Sequence, residues 1–379
     1  MDIKRGLFDN IKENLVVNKV FLLYGPRQVG KTYLLNQLVS QYKNREKIMF
    51  VTGDNLATRE SLSSQSAEKL KNYLGETSLL IIDEAHKIPD IGLNLKIIVD
   101  QIKPIKIIAT GSASFDLVQK VGEPLTGRKN TQLLYPVSTA EIINNFGSDY
   151  QRSMLEDQLI FGGYPEVIVS RSTKQKSNYL KELLDSYLLR DTLAFGNVKQ
   201  PKKIIDLLSL LAFQIGSEVS LTELAKSLEL NRGTVERYLD LLEKSFVLIN
   251  IRGFSRNLRK EVTKNSRYYF YDNGVRNVLI NNFNSLKMRN DIGALWENYL
   301  VIERIKKQKY LPYFFNNYFW RTWDKKEIDW IEEREGKLFG YEIKWGKAVK
   351  SKAKKLWLET YKEAEFKIIN QENYIEFIT

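Results

Sequence analysis

The sequence predicts an α/β protein: a parallel sheet flanked by helices, then a helical middle region, then a smaller α/β domain. Three observations carry this reading. Short apolar strands alternate with helical stretches from residue 1 to about 147. A glycine-containing loop follows the first of those strands directly and opens a helix. After Asp291 the pattern returns to helix, strands and helix. The expected modules span 1–147, 148–200, 201–280 and 281–379.

At 379 residues the chain is long for one domain, and its 43% hydrophobic content suffices for several cores. It has no cysteine and a single histidine, His86. Disulfides, zinc fingers, cysteine nucleophiles and histidine-rich metal centres are therefore excluded. A metal held by carboxylates, phosphates and water is favoured, which points to magnesium. No apolar run approaches the ~20 residues that a membrane-spanning helix needs. The opening Met1-Asp2-Ile3-Lys4-Arg5 is charged and lacks the apolar stretch of a signal peptide, so a cytoplasmic protein without membrane association is expected. The formal net charge of +12 suggests a polyanionic partner, nucleic acid first. The plainer explanation is a lysine-rich set of solvated surfaces.

The expected strands of the first module are Val20–Tyr24, Ile48–Thr52, Leu79–Asp83, Lys106–Thr110 and Gln132–Leu134. Helices are expected at Thr32–Tyr42, Ala67–Leu74 and Leu93–Ile102. After the first strand comes Gly25-Pro26-Arg27-Gln28-Val29-Gly30-Lys31-Thr32, followed by Tyr33. Glycines at this spacing let backbone N–H groups converge on a β-phosphate, and the next helix presents its positive end there. Lys31 should reach the β- and γ-phosphates, and the Thr32 hydroxyl should ligate magnesium. Residues Gly25 to Tyr33 are thus the expected ATP-binding stretch.

Leu79-Leu80-Ile81-Ile82-Asp83-Glu84 is an apolar strand ending in two carboxylates. Asp83 should hold the magnesium through water, and Glu84 should polarise an attacking water. The next strand ends in Ala109-Thr110-Gly111-Ser112-Ala113-Ser114. Its tip should emerge between the loop and the Asp83 strand, where Ser112 or Thr110 would sense the γ-phosphate; a simple serine-rich turn is the alternative. In Pro124-Leu125-Thr126-Gly127-Arg128, Arg128 is the candidate arginine finger for a neighbouring subunit. The alternative is a surface arginine or a phosphate contact within its own subunit.

The loop, the Asp-Glu strand, the Thr-Gly-Ser strand and the Gly-Arg step resemble the AAA-type branch of P-loop ATPases. Within it they are similar to a large prokaryotic group of ATPases with a C-terminal domain of unknown function. The resemblance continues through Tyr135-Pro136-Val137-Ser138, Gly162-Gly163-Tyr164-Pro165-Glu166 and Tyr187-Leu188-Leu189-Arg190-Asp191. It implies an ATPase core over 1–147, a lid-like helical region over 148–200, and self-association, a hexamer being one such assembly. A second sensor arginine is not evident; Arg152, Arg171 and Arg190 are the options. Asp-Glu-Ala-His around His86 looks like a helicase box, but no other helicase motif accompanies it.

In the third module, Ser220 caps a helix with Glu223 three residues on and Leu221, Leu224 and Leu228 on one face. A turn at Glu229–Asn231 leads to a second helix, Arg232–Glu243, with Val235, Leu239 and Leu242 inward. Its outward face is expected to carry Arg232, Thr234, Arg237 and Tyr238. This is helix-turn-helix spacing. The stretch from Phe246–Ile251 to Tyr268–Tyr271 reads as a two-stranded wing bearing Arg252, Arg256, Arg259 and Lys260. Residues 201–280 resemble a winged helix, used either for DNA or for protein packing.

The last module, 281–379, sets Glu297 on a helix, Asp329 at the end of a strand-like run, and Glu342-Ile343-Lys344 on the strand after a turn. Glu342 and Lys344 share a face by period-two alternation. The pattern resembles the PD-(D/E)XK nuclease superfamily, with Ile328 in place of its proline. The resemblance implies that Glu297, Asp329 and Glu342 bind metal and that Lys344 orients water or stabilises developing charge. Lys347, Lys350, Lys352, Lys354 and Lys355 follow as phosphate contacts or a solvated face.

The expected function is a magnesium-dependent ATPase acting on DNA, with a nuclease-like domain that either cuts or has lost its chemistry. The rival is a nucleotide-regulated protein-interaction switch.

Overall fold

The computed structural model describes residues 3–102, 104–111, 125–189, 200–255, 266–311, 313–346 and 350–379. They form two compact units: Met1–Val137 with Lys244–Phe246, and Ser138–Glu243 with Val247–Thr379.

In the first unit α1 (Leu7–Asn14) precedes β1 (Val20–Tyr24) and α2 (Lys31–Tyr42). Then come β2 (Ile48–Thr52), α3 (Leu56–Leu62), α4 (Ala67–Leu74), β3 (Leu79–Asp83), α5 (Ile91–Gln101), β4 (Lys106–Gly111) and β5 (Lys129–Leu133). The five strands lie in the order β2-β3-β4-β1-β5, every pair parallel. Strands covered on both faces must be apolar throughout, and all of β3 and the first four residues of β1 are buried. Their side chains pack with Ile107 and Ala109 of β4 and Leu95 and Ile98 of α5. Because β4 lies between β1 and β3, the carboxyl ends of three strands adjoin, where an open α/β sheet presents its ligand site. Side-chain caps set two helix starts: Asn55 accepts from Thr58 N–H, and Ser66 from Lys69 N–H. The last strand ends at Leu133, one residue before the sequence expectation.

The second unit opens with α6 (Thr139–Phe146), α7 (Ser148–Phe161), α8 (Pro165–Val169), α9 (Thr173–Leu183) and α10 (Pro201–Phe213). A reciprocal capping box between Ser138 and Glu141 starts α6. The Gly162-Gly163 step is fixed by Asp272, whose Oδ2 accepts from Gly163 N–H at 2.7 Å. A Cβ on Gly162, where φ is +79°, would collide with the same carboxylate.

Next come β6 (Glu218–Val219), α11 (Leu221–Ser227), α12 (Arg232–Lys244), β7 (Leu248–Gly253), β8 (Ser266–Phe270) and α13 (Asn273–Leu279). The remainder is α14 (Ile292–Gln308), β9 (Asn316–Arg321), β10 (Glu327–Arg334), β11 (Lys337–Ile343), α15 (Lys354–Thr360), β12 (Glu365–Ile369) and α16 (Tyr374–Ile378). All seven strands form one sheet, β12-β11-β10-β9-β7-β8-β6. The strands expected as a wing are hydrogen-bonded to the C-terminal strands through a parallel β7–β9 contact, Arg252 beside Tyr318 and Gly253 beside Phe319. The sheet therefore runs across the boundary expected at 280/281. Asn298 of α14 adds a second link, accepting from Phe270 N–H at 2.8 Å and donating to Phe270 O at 3.0 Å. An amide so placed completes the end of β8 as a neighbouring strand would. Phe254, Trp320, Ile328, Ile331 and Trp357 pack beneath the C-terminal strands.

Candidate active site

The loop after β1 takes its path from its glycines. Gly25 has φ +149°, and a Cβ there would collide with the Leu134 carbonyl oxygen. Gly30, with φ +93°, opens α2 from the left-handed region. Between them Val29 is fully buried and anchors the loop from below. Lys31 is buried, and its Nζ donates to the carbonyls of Gly25 at 2.8 Å and Pro26 at 2.9 Å. Arg5 straps the loop from the segment before α1, donating to Val29 O and Tyr135 O, both at 2.6 Å. Nothing in the sequence pattern ties an N-terminal arginine to a loop 24 residues away. Tyr33 points outward from α2, its hydroxyl accepting from Gln37.

Asp83 is held on both oxygens. Thr32 Oγ1 donates to Oδ2 at 2.7 Å, and the Thr110 hydroxyl donates to Oδ1. Thr110 in turn accepts from the Glu84 N–H at 3.1 Å. Of the two residues the sequence offered for this strand tip, Thr110 is therefore in the cluster; Ser112 lies outside the described residues. Glu84 adopts φ +51°, a left-handed conformation that costs a non-glycine residue ~1–3 kcal/mol and is typical of functional sites. It turns the side chain out of the strand. A close approach at the end of β2 accompanies it, since a Cβ on Gly53 would strike the Glu84 carbonyl.

Burial, the main cause, pushes the Glu84 carboxyl above the ordinary glutamate pKa; Lys31 opposes the shift and Asp83 adds to it. The His86 ring lies nearby, its Nδ1 3.7 Å from Glu84 Oε2, and is itself buried. Hydroxyl and carboxylate oxygens are the donor set that magnesium takes, so Thr32 and Asp83 fit that ion. Arg128 has a partner in its own chain: its Nε donates to Asp100 Oδ1 of α5 at 2.6 Å, with the side chain half exposed.

On α12, Arg232 and Arg237 are exposed, and Arg232 Nε donates to Glu236 at 2.9 Å. Thr234 is half-buried at the first turn, its N–H donating to Asn231 Oδ1 at 2.7 Å. Tyr238 corrects the sequence expectation: it is 1% exposed, not outward. At three residues past Val235 and four before Leu242, it falls on the inner face of the helix by the 3.6-residue period. Arg256 and Arg259, with Lys260, lie outside the described residues.

In the C-terminal strands Trp330 of β10 faces Tyr341 of β11, which places Asp329 and Glu342 one step along on adjoining strands. Asp329 is buried, and its Oδ2 accepts from Ile343 N–H at 2.8 Å. Lys344 Nζ lies 3.2 Å from Glu342 Oε1. Into this group comes Arg267 of β8, its Nη2 donating to Glu327 at 2.8 Å. Its Nη1 stands 3.7 Å from Glu297 Oε1 and 3.8 Å from Asp329 Oδ1. Tyr269 donates its hydroxyl to Glu297 Oε1 at 2.7 Å.

Burial first, then the charge of Asp329, push Glu297 up to about 8, against Arg267 and the Tyr269 hydrogen bond. Burial also raises Asp329, opposed by the Ile343 N–H. Burial works to lower Lys344, but Asp329 and Glu342 outweigh it and hold the ammonium above its ordinary value. Among the described residues no group of three acids or histidines is arranged to hold a metal ion. The sequence reading missed Arg267 and Tyr269, although period-two alternation along β8 puts both on one face.

Three families match in succession. Residues 17–143 match an AAA domain, 152–286 a domain of unknown function (DUF8612), and 292–375 another domain of unknown function (DUF4143). An uncharacterized protein of Mycobacterium tuberculosis is 29% identical over 328 residues, covering 86% of this chain and 70% of that protein. An uncharacterized protein of Methanocaldococcus jannaschii is 25% identical over 312 residues, covering 78% of this chain and 68% of that one.

Among solved structures, the chain is similar to a signal transduction ATPase with a tetratricopeptide repeat sensor from Pyrococcus horikoshii. The TM-score is 0.33 at 15% identity, covering 81% of this chain and 46% of that one. For Cdc6p of Pyrobaculum aerophilum the TM-score is 0.28 at 14% identity, covering 73% and 90%. The family match places an AAA domain over residues 17–143, and the phosphate loop lies within it. No helix among the described residues is long and apolar enough to cross a membrane.

Proposed function

We propose that this chain is a magnesium-dependent ATPase acting on DNA, in translocation, junction remodelling or defence. One observation carries the hydrolytic half: Thr32, Asp83, Thr110 and Glu84 form a connected cluster where β3 and β4 end beside the phosphate loop. Thr32 and Asp83 would hold magnesium, which supplies charge to offset the β- and γ-phosphates. Lys31 exchanges its loop carbonyls for phosphate oxygens. Glu84 takes the proton of the attacking water, a task that suits a carboxylate of raised pKa. Arg128 serves a neighbouring copy in an oligomer, its ion pair with Asp100 opening to do so.

The DNA half is supported by the net charge of +12 and by exposed Arg232 and Arg237 on the helix read as the recognition helix of a winged helix. The rival, a nucleotide-regulated protein-interaction switch, is favoured by the fully exposed aromatics Phe314 and Trp323. ATP turnover measured with duplex, single-stranded, forked and four-way DNA, all end-labelled, separates the two. Stimulation by one of these DNAs is expected; turnover indifferent to all of them, with no DNA bound, would transfer the function to the rival.

A further inference from the structure

We infer that the Arg267 guanidinium fills the place of a divalent cation among the C-terminal carboxylates, making that centre a structural tie rather than a cleavage site. A nuclease-type centre needs carboxylate oxygens free to converge on one ion with its water. Here a cation already stands among them, and one oxygen each of Glu297 and Asp329 accepts a hydrogen bond from the protein. Arg267, its side chain 3% exposed, donates to Glu327 at 2.8 Å and stands 3.7 Å from Glu297 and 3.8 Å from Asp329. The Glu297 oxygen that faces it also accepts from Tyr269 at 2.7 Å, and the second Asp329 oxygen accepts from Ile343 N–H at 2.8 Å.

The guanidinium carbon lies 4.5 Å from the centre of the Phe319 ring, which fixes the plane of the fork. Glu342 alone keeps a buried oxygen, Oε2, without a hydrogen-bond partner, while Oε1 faces Lys344 at 3.2 Å. No three acids among the described residues are arranged to hold a cation. A divalent ion ligated by Glu297 and Asp329 would face the positive charge of Arg267 in a buried setting, where repulsion is poorly screened.

The arginine does for these acids what a metal would do in a cutting enzyme: it offsets their charge and joins the elements that carry them. Those elements are β8, α14 and β10. The β7–β9 pairing and the Asn298 amide already link the segment read as a winged helix to the nuclease-like strands. Arg267 adds the buried electrostatic link, so that the two behave as one piece. This inference deepens the reading of the C-terminal domain as nuclease-like without cleavage, and it does not depend on the ATP site.

The test uses the full chain without nucleotide and Mn2+ as the probe, with binding followed by electron paramagnetic resonance. Wild type and D329N should give the same Mn2+ isotherm. R267M, which keeps the length and removes the charge, should gain a site at least ~10-fold tighter than any in wild type, lost again in R267M/D329N. R267K retains a cation and should gain none.

Mn2+ binding by wild type that D329N abolishes would overturn the inference and leave the nuclease-like reading stronger. A folded R267M that gains nothing would overturn both. Should R267M fail to fold, thermal melting of R267K, D329N and the double variant decides: strong non-additivity is expected, and additive losses would overturn the tie.

Discussion

Thr32 at the start of α2 donates its hydroxyl to Asp83 at the end of β3 over 2.7 Å, bridging 51 positions of sequence. The pair closes the phosphate loop onto the strand that delivers Glu84. With Thr110 on the other oxygen, the protein itself sets the direction of the Asp83 carboxylate. Preorganisation of this kind lowers the reorganisation that the chemical step requires.

Thr110 is the first residue to test. Thr110→Val keeps the shape but removes the hydroxyl between the Glu84 N–H and Asp83 Oδ1, leaving those two only their mutual contact at 3.2 Å; the two lost hydrogen bonds are worth ~1–3 kcal/mol together. Turnover should fall about tenfold or more if that loss is felt in the transition state. ATP affinity, followed by a fluorescent nucleotide, should change far less, and Thr110→Ser should restore the rate. Equal rates for the valine variant and wild type would remove Thr110 from the site.

The pH profile follows from Glu84. Its pKa is raised, chiefly by burial, so protonation on the acid side removes the base at a higher pH than an ordinary glutamate would. The acid limb of kcat should therefore have its midpoint above the ordinary glutamate value of 4.5. The limb should move to lower pH when a more exposed site is created by trimming a neighbouring apolar side chain. A rate that stays level down to the ordinary range would contradict the assignment of Glu84 as base.

Arg5 offers a test away from the chemistry. Arg5→Ala leaves the Val29 and Tyr135 carbonyls without their donor and should cost about 1–3 kcal/mol of stability. ATP binding should weaken because the loop loses its strap, while the pH profile of the bound enzyme stays put. Unchanged melting and unchanged ATP affinity would make the contact incidental.

What the sequence revealed and what it hid have physical causes. The phosphate loop and Asp83-Glu84 are contiguous residues beside apolar strands, so their chemistry is local and visible. The Ser220 cap is equally local, accepting from the Glu223 N–H at 3.3 Å. Tyr238 was expected outward with Arg237, yet its helical position sets it inward with Val235 and Leu242. The β7–β9 pairing, the Arg5 strap and the Arg267 contacts join segments far apart in the chain, and no periodicity records them. The ion pair of Arg128 with Asp100 of α5 is likewise a contact that no local pattern announces.

DNA binding is tested on α12. Replacing Arg232 and Arg237 with alanine should weaken DNA binding, and the slope of log affinity against log salt should become shallower by ~1 for each of the two arginines that meets a phosphate. Tyr238→Ala, by contrast, should lower thermal stability by about 3–5 kcal/mol, as expected for a buried aromatic, in the absence of DNA. If the double arginine variant binds DNA as wild type does at every salt concentration, the helix belongs to protein packing.

The central claim is that Glu84 drives hydrolysis at a site that Lys31 and the loop build for ATP. Nucleotide binding and single-turnover hydrolysis measured side by side for wild type, Lys31→Ala and Glu84→Gln test it directly. Lys31→Ala should lose ATP binding. Glu84→Gln should bind ATP as wild type does and hydrolyse it about 10²–10⁴ times more slowly, the usual contribution of a positioned general base. Wild-type hydrolysis by Glu84→Gln, or undiminished ATP binding by Lys31→Ala, would contradict it.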